Sequence, residues 1–409
     1  MDDIDKFVED LIASAPQTIL EGHLAGKFER LGVKVPLSEI QRVAALILDG
    51  KEGQIDIDGL DSDAVLEFTA EDQRAVIAEL EKLHRELPKI VKEIAAKSAD
   101  QLLKGTKAQW REEGPAQRAD IEAFRQRLEA RWGKGLDLMR IMLTIVREWF
   151  GNRQKALPKN KSKPNLDNVL IRLHARACQV VSEIIVLLEN GFADGAMARW
   201  RTLHEIAVVA EVIAKYGEDI AERYVLYQIV ESYAAMKAYD RDHAVLNHKP
   251  LSKAEKLRIR KGYDAILKRF GSSFGEEYGW AAHHLGIKGN GRLNFARLEA
   301  DVQNERMRSP YKMASYNVHA SPKGVYFRLG NLADIPTAGA SNAGLTDPAQ
   351  HTAITFVRLT ITVLGESDRL TDLLTAQVLL QLQSMIPTEF WKADKKLRRD
   401  DRRHRGAKK

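Results

Sequence analysis

Three groupings of residues in this 409-residue sequence have the types and spacing to do chemistry. In SPYKMASYNVHASPKG, Tyr311, Ser315 and His319 recur every four residues, a spacing that stacks side chains in one row of a helix. Ser309 and Pro310 are expected to open that helix as N-cap and first position. Pro322 biases Ser321 away from helical geometry, so His319 falls at the helix C-terminus, where carbonyl dipoles favour an imidazolium. A histidine so placed suits proton transfer or contact with an anion. The plainer alternative is a cap on the last carbonyls.

The second grouping is ARWRTLHE, with Arg201 and Glu205 four apart, as are Trp200 and His204. Arg201 interrupts an otherwise apolar helical pattern, and a buried guanidinium needs an anion. Glu205, one turn on, can supply it and fix helix packing, or can orient Arg201 toward a bound phosphate. The third is RDHAVLNH, in which Arg241 and His248 form an alternative catalytic pair. Arg241 would hold a scissile phosphate and His248 would act as acid or base on a 2′-hydroxyl or the leaving oxygen. Such a spacing recurs by chance, and this one falls at a helix end.

The elements that must position these groups are helices. Apolar residues recur at helical spacing in SEIQRVAALIL, in EDQRAVIAELEKLHRELPKIVKEIAAK and through most of the chain. Only GQIDIDG and GVYFRLGN look briefly extended, too little for a sheet, so the fold is read as all-α. Residues 1–150 form an acidic helical domain of about six helices, with 22 acidic and 12 basic residues in the first hundred. Residues 151–168, with their prolines and basic residues, read as a linker or loop. A helical-bundle domain follows over 169–391, opening with a hairpin closed at ENGFADG. Residues 392–409 are a basic tail with 10 basic and 3 acidic residues. Within the bundle, Lys253, Lys256, Arg258, Arg260 and Lys261 make the best phosphate-tracking helix, although a solvated face is the commoner meaning of such a run.

Other chemistries lack their residues. His283-His284 has no second ligand pair, and there is no HExxH. Asp56, Asp58 and Glu67 resemble calcium-loop ligands, but Leu60 and Asp61 stand where a ligand and a glycine are required, so Asp61 or Asp63 is read as a helix cap. Phosphate-binding glycine loops, nucleophile elbows and dinucleotide fingerprints are missing, so no metal and no cofactor is expected. No apolar run is long enough for a membrane span, and MDDIDKFVED lacks a signal-peptide pattern. The single cysteine, Cys178, lies in an apolar helix and reads as buried and structural. The expected location is the cytoplasm.

RTLHE, then EYGWAAHHL, NFARLEADV and YKMASYNVHASPKG together carry a resemblance. Over about residues 166–330 the chain resembles the bacterial family catalogued as domain of unknown function 5677, which pairs an R-x-x-x-E helix with a later Y-x-x-x-S-x-x-x-H helix. Arg201 and Glu205 match the first motif; Tyr311, Ser315 and His319 match the second. The family's layout is similar to that of HEPN-type domains, many of them dimeric ribonucleases of toxin and phage-defence systems. The resemblance implies a HEPN-like dimer acting on or binding nucleic acid, RNA before DNA, without a metal. In its catalytic form Arg201 meets His319 across two helices, with Glu205 orienting Arg201. Tyr311, Ser315, Ser321 and Lys323 then position the substrate. The alternative is a non-enzymatic sensor or scaffold whose Arg-Glu and Ser-His groups form one buried polar network. A small-molecule or nucleotide pocket in the same place is a third reading.

Overall fold

The computed structural model describes residues 2–51, 53–57, 66–156, 163–287, 292–332, 337–365, 367 and 369–406. Among them the regular elements are helical and none is a strand, so the fold is all-α. The chain divides into two compact units, Met1–Arg118 and Ala119–Lys409.

The first unit contains α1 (Asp2–Arg30), α2 (Leu37–Leu48) and the start of α3 (Ala70–Ala156). Leu20, Leu24 and Phe28 of α1, Ile40, Val43 and Ala44 of α2, and Val76 of α3 form its core. Thr69 and Asp72 cap the start of α3 reciprocally: the Thr69 N–H donates to Asp72 at 2.6 Å and the Asp72 N–H to the Thr69 hydroxyl at 3.2 Å. Burial opposes the charge on Asp72, but hydrogen bonds from Lys27, His23 and Thr69 outweigh it and hold the carboxyl well below its ordinary range. Of the calcium-like stretch, 58–65 lie outside the described residues.

Where about six helices were expected before residue 150, the described residues form three. Helix α3 alone runs 87 residues, through Pro88 and Pro115. An isolated proline removes one hydrogen bond and the turns on either side hold, so such punctuation need not end a long helix. From Leu128 onward α3 sends Trp132, Leu136, Met139 and Val146 into the core of the second unit, which therefore starts before the expected boundary at 150. Of the expected linker, 151–156 are helical and 157–162 lie outside the described residues.

The second unit continues with α4 (Pro164–Glu189), α5 (Ala193–Tyr216), α6 (Glu218–Asp242) and α7 (Lys253–Phe270). Short helices α8 (Gly279–Ala282), α9 (Phe295–Asp301), α10 (Arg308–Val318) and α11 (Pro322–Tyr326) follow, then α12 (Thr346–Leu364) and α13 (Leu370–Gly406). The hairpin expected at ENGFADG is α4 and α5. Helix α5 is the centre, with α4, α12, α10, α9 and α6 all against it. Its small and apolar residues, including Ala196, Trp200, Leu203, Ala207 and Val208, are fully buried. Any polar side chain on α5 must therefore find its partner on a neighbouring helix.

Three local expectations change. Helix α10 starts at Arg308, carried in by a 3₁₀ turn at Glu305–Met307, so Ser309 lies inside the first turn and does not cap it. GVYFRLGN is not extended at its start, because Ser321 caps α11 by accepting from the Gly324 N–H at 3.2 Å. The basic tail is helical to Gly406. Phe390, Ala393 and Leu397 repeat at three-to-four spacing and are buried in the core, which extends α13 through the charged run.

Candidate functional site

Of the residues matching the two motifs, Arg201, Glu205 and Tyr311 meet where α10 packs against α5. The Tyr311 hydroxyl donates to Glu205 Oε1 at 2.6 Å, and Arg201 Nε donates to the same oxygen at 3.1 Å. The Arg201 guanidinium lies 4.9 Å over the Tyr311 ring. Burial pushes the Tyr311 phenol up, and its bond to the Glu205 carboxylate pushes it further, so Tyr311 stays a donor. Burial opposes the Arg201 charge, while Tyr311 and Glu205 more than restore it. Arg201 and Glu205 keep partial exposure, 25% and 36% of their side chains, so water reaches one edge of the cluster.

Behind it lies a sealed cluster. His204 Nε2 bonds Glu299 Oε1 at 2.9 Å with both side chains fully buried, and Arg308 Nη1 donates to Glu299 Oε2 at 2.7 Å. The Arg308 guanidinium lies 5.5 Å from the Tyr311 ring, so Tyr311 touches both clusters. A third pairing follows two turns on, where Arg358 Nε donates to Glu211 at 2.6 Å and Nη1 to Asn304 at 3.0 Å. Burial pushes the Glu211 carboxyl up and Arg358 opposes it. Sequence reasoning missed Glu299, Arg308, Glu211 and Arg358. The available signal was their sequence context, acids within apolar helical runs, which need cations as Arg201 needs an anion.

His319 does not join them. It ends α10 with extended backbone, eight residues beyond Tyr311, or about 12 Å along the axis at 1.5 Å per residue. It is exposed, and among the described residues its ring has no hydrogen-bond or ion-pair partner. Ser315 donates to the Tyr311 carbonyl at 2.9 Å and not to His319. Ser321 is occupied in capping α11. Lys323 lines a cavity of about 370 Å³ bounded by α5, α10, α11 and α12. Among the described residues no hydrogen bond or ion pair joins Arg241 to His248. Arg241 is exposed and paired with its neighbour Asp242 at 2.7 Å, and the His248 ring stands 6.0 Å from Tyr239.

The basic helices present exposed cations. On α7, Lys256 pairs with Asp240, whereas Lys253, Arg258, Arg260 and Lys261 are exposed with no ion-pair partner among the described residues. On α13, Lys392, Arg398 and Arg405 pair with acids of their own helix; Lys396, Arg399, Arg402 and Arg403 are exposed and unpaired among the described residues. Trp391, 56% exposed, lies 4.0 Å under the Lys395 ammonium. Among the described residues no group of three or more His, Cys, Asp or Glu could hold a metal ion, and no helix is long and apolar enough to cross a membrane.

Comparison with curated proteins and with solved structures returns no significant match. Comparison with protein families returns one over residues 167–335, a stretch that holds α4 to α11 and with them both motif helices and the Arg201–Glu205–Tyr311 and His204–Glu299–Arg308 clusters. By that match, residues 167–335 are similar to the family of unknown function DUF5677.

Proposed function

We propose that the protein binds nucleic acid, single-stranded RNA before DNA, along the cationic faces of α7 and α13. It then acts as a HEPN-like effector of the phage-defence or toxin kind, with a second copy as its expected partner. The observation that carries this reading is α13. Its charged run continues a helix anchored by Phe390, Ala393 and Leu397, so the backbone presents Lys396, Arg399, Arg402 and Arg403 at helical intervals. Exposed cations with no ion-pair partner among the described residues release counterions on meeting phosphates. Trp391 beside Lys395 adds a face on which an unpaired base can stack, which favours a single strand.

Binding is better supported than cleavage. Arg201 is engaged by Glu205 and Tyr311, and His319 lies about two turns along α10 from Tyr311, which favours binding over a paired Arg201–His319 chemistry. The second reading, a helical sensor or scaffold, is favoured by the His204–Glu299–Arg308 cluster, whose polar groups are spent on one another.

Fluorescence anisotropy with a labelled unstructured RNA tests the proposal. Combined Arg399→Glu, Arg402→Glu and Arg403→Glu should weaken binding at least about tenfold at low salt. Absence of wild-type binding, or equal binding by the variant, contradicts it. RNA integrity on expression of wild type and His319→Ala tests cleavage separately, since loss of RNA with the wild type alone would restore the catalytic reading.

A further inference from the structure

The cavity of about 370 Å³ that Lys323 lines belongs to none of the clusters above. Its volume is at the small end of the range for organic ligands, about 300–1,000 Å³, which suits a molecule of mononucleotide size and not a dinucleotide. Two close backbone approaches fix its walls. A Cβ on Gly324 would lie 2.0 Å from the Tyr316 carbonyl oxygen, so only glycine lets α11 seat against α10. Gly344, at φ +78°, does the same for Leu329, whose carbonyl oxygen would be 2.2 Å from an added Cβ. Leu329 is also held from the other side, its N–H donating to Asp194 at 2.9 Å. The walls are therefore formed before any ligand arrives.

The lining divides by chemistry. Met197, Met313, Tyr316 and Phe327 offer thioether and ring surfaces that receive a planar ring. Phe327 is 79% exposed at the rim, an apolar surface this region of the protein leaves uncovered. Asp347 offers a carboxylate acceptor and Asn317 an amide that both donates and accepts. His351 packs its ring 4.9 Å from Trp200, and its Nδ1 is sealed with no hydrogen-bond partner. A sealed lone pair costs less than a sealed N–H, so the proton belongs on Nε2, making His351 a second donor. Burial keeps the ring neutral by pushing its pKa down. Lys323 supplies the one cation of the lining, its ammonium 5.4 Å from the Tyr316 ring.

We propose that this cavity binds a nucleoside monophosphate: the base stacks between the Tyr316 and Phe327 rings, Asp347, Asn317 and His351 read its edge, and Lys323 holds its phosphate. A base requires acceptors and donors beside an apolar slot, and Asp347, Asn317 and His351 bring these to the same lining, while its phosphate requires the cation. The nucleotide arrives either free or as the phosphorylated end of a strand. The site makes no use of the α13 cations and stands or falls apart from them.

Isothermal titration of the full chain with 5′-AMP, 5′-GMP and 5′-UMP tests it. At least one should give saturable heat, reduced about tenfold or more in affinity by Asp347→Asn and by Phe327→Ala. Phe327 is too exposed for its loss to unfold the protein, and circular dichroism checks each variant. Lys323→Glu should weaken the nucleotide while leaving the corresponding nucleoside within about twofold. Arg399→Glu with Arg402→Glu and Arg403→Glu should leave mononucleotide affinity unchanged, even if it abolishes RNA binding. Competition by a 5′-phosphorylated oligonucleotide but not its 5′-hydroxyl form assigns the site to strand ends; lack of competition assigns it to free nucleotide. No saturable heat with any of the three mononucleotides, or heat that survives both Asp347→Asn and Phe327→Ala, overturns the proposal.

Discussion

Glu299→Ala should be among the most damaging single substitutions in the second unit. The wild-type carboxylate is fully buried and takes two hydrogen bonds, from His204 at 2.9 Å and from Arg308 at 2.7 Å. Each charge-assisted bond is worth about 1.5–3 kcal/mol net. The Arg308 side chain is 36% exposed and recovers hydration once released, so its share is the smaller. His204 recovers nothing, because it is sealed and its Nδ1 already lacks a partner. The expected cost is about 3–5 kcal/mol, the usual size for one member of a buried pair removed. That is a large fraction of a typical total stability of about 5–15 kcal/mol. Urea unfolding followed by tryptophan fluorescence measures it, since Trp132, Trp149, Trp200, Trp280 and Trp391 all lie in this unit. His204→Phe combined with Glu299→Leu removes the polar demand on both sides and should recover much of the loss. A Glu299→Ala cost below about 1 kcal/mol, or a double variant as weak as the two singles summed, refutes the reasoning.

Other perturbations have definite signs. The Asp72 carboxyl is depressed in the folded state, so its stabilisation is complete above the unfolded value near 4 and is lost as pH falls below it. Amide exchange across α1 should therefore show the largest gap between wild type and Asp72→Asn at neutral pH, narrowing below about pH 4. Burial pushes the Cys178 thiol up to about 11, so it should resist alkylation in the native protein at pH 8 and react once urea unfolds it. Gly324→Ala drives a Cβ into the Tyr316 carbonyl and should lower thermal stability by about 1–3 kcal/mol. His319→Ala should change stability by no more than about 0.5 kcal/mol in the same melt, because the ring touches no polar partner among the described residues.

The all-α class and the α4–α5 hairpin were legible because apolar spacing and an Asn-Gly turn are local signals. Arg201 with Glu205 was legible for the same reason, one turn being enough to pair them. What joined Tyr311 to Glu205 was the crossing of α10 on α5, which no local pattern encodes. Regular spacing also misled. Tyr311, Ser315 and His319 share a row, but α10 ends at Val318 and only Tyr311 lies over α5's polar residues, so His319 points its chemistry elsewhere. His204 and Glu299 are 95 residues apart, and no local pattern in RTLHE or NFARLEADV pairs them. The end of α13 was not legible because its apolar residues, Ala393 and Leu397, are sparse within a run of charge.

The central claim, that α13 tracks phosphates, is tested most directly by the salt dependence of RNA binding. Each phosphate neutralised on a single strand contributes about −0.7 to the slope of log K against log salt concentration. Arg399→Glu, Arg402→Glu and Arg403→Glu together should therefore make the slope shallower by about 2. An identical slope for wild type and variant would mean that α13 does not meet the strand, and would contradict the account.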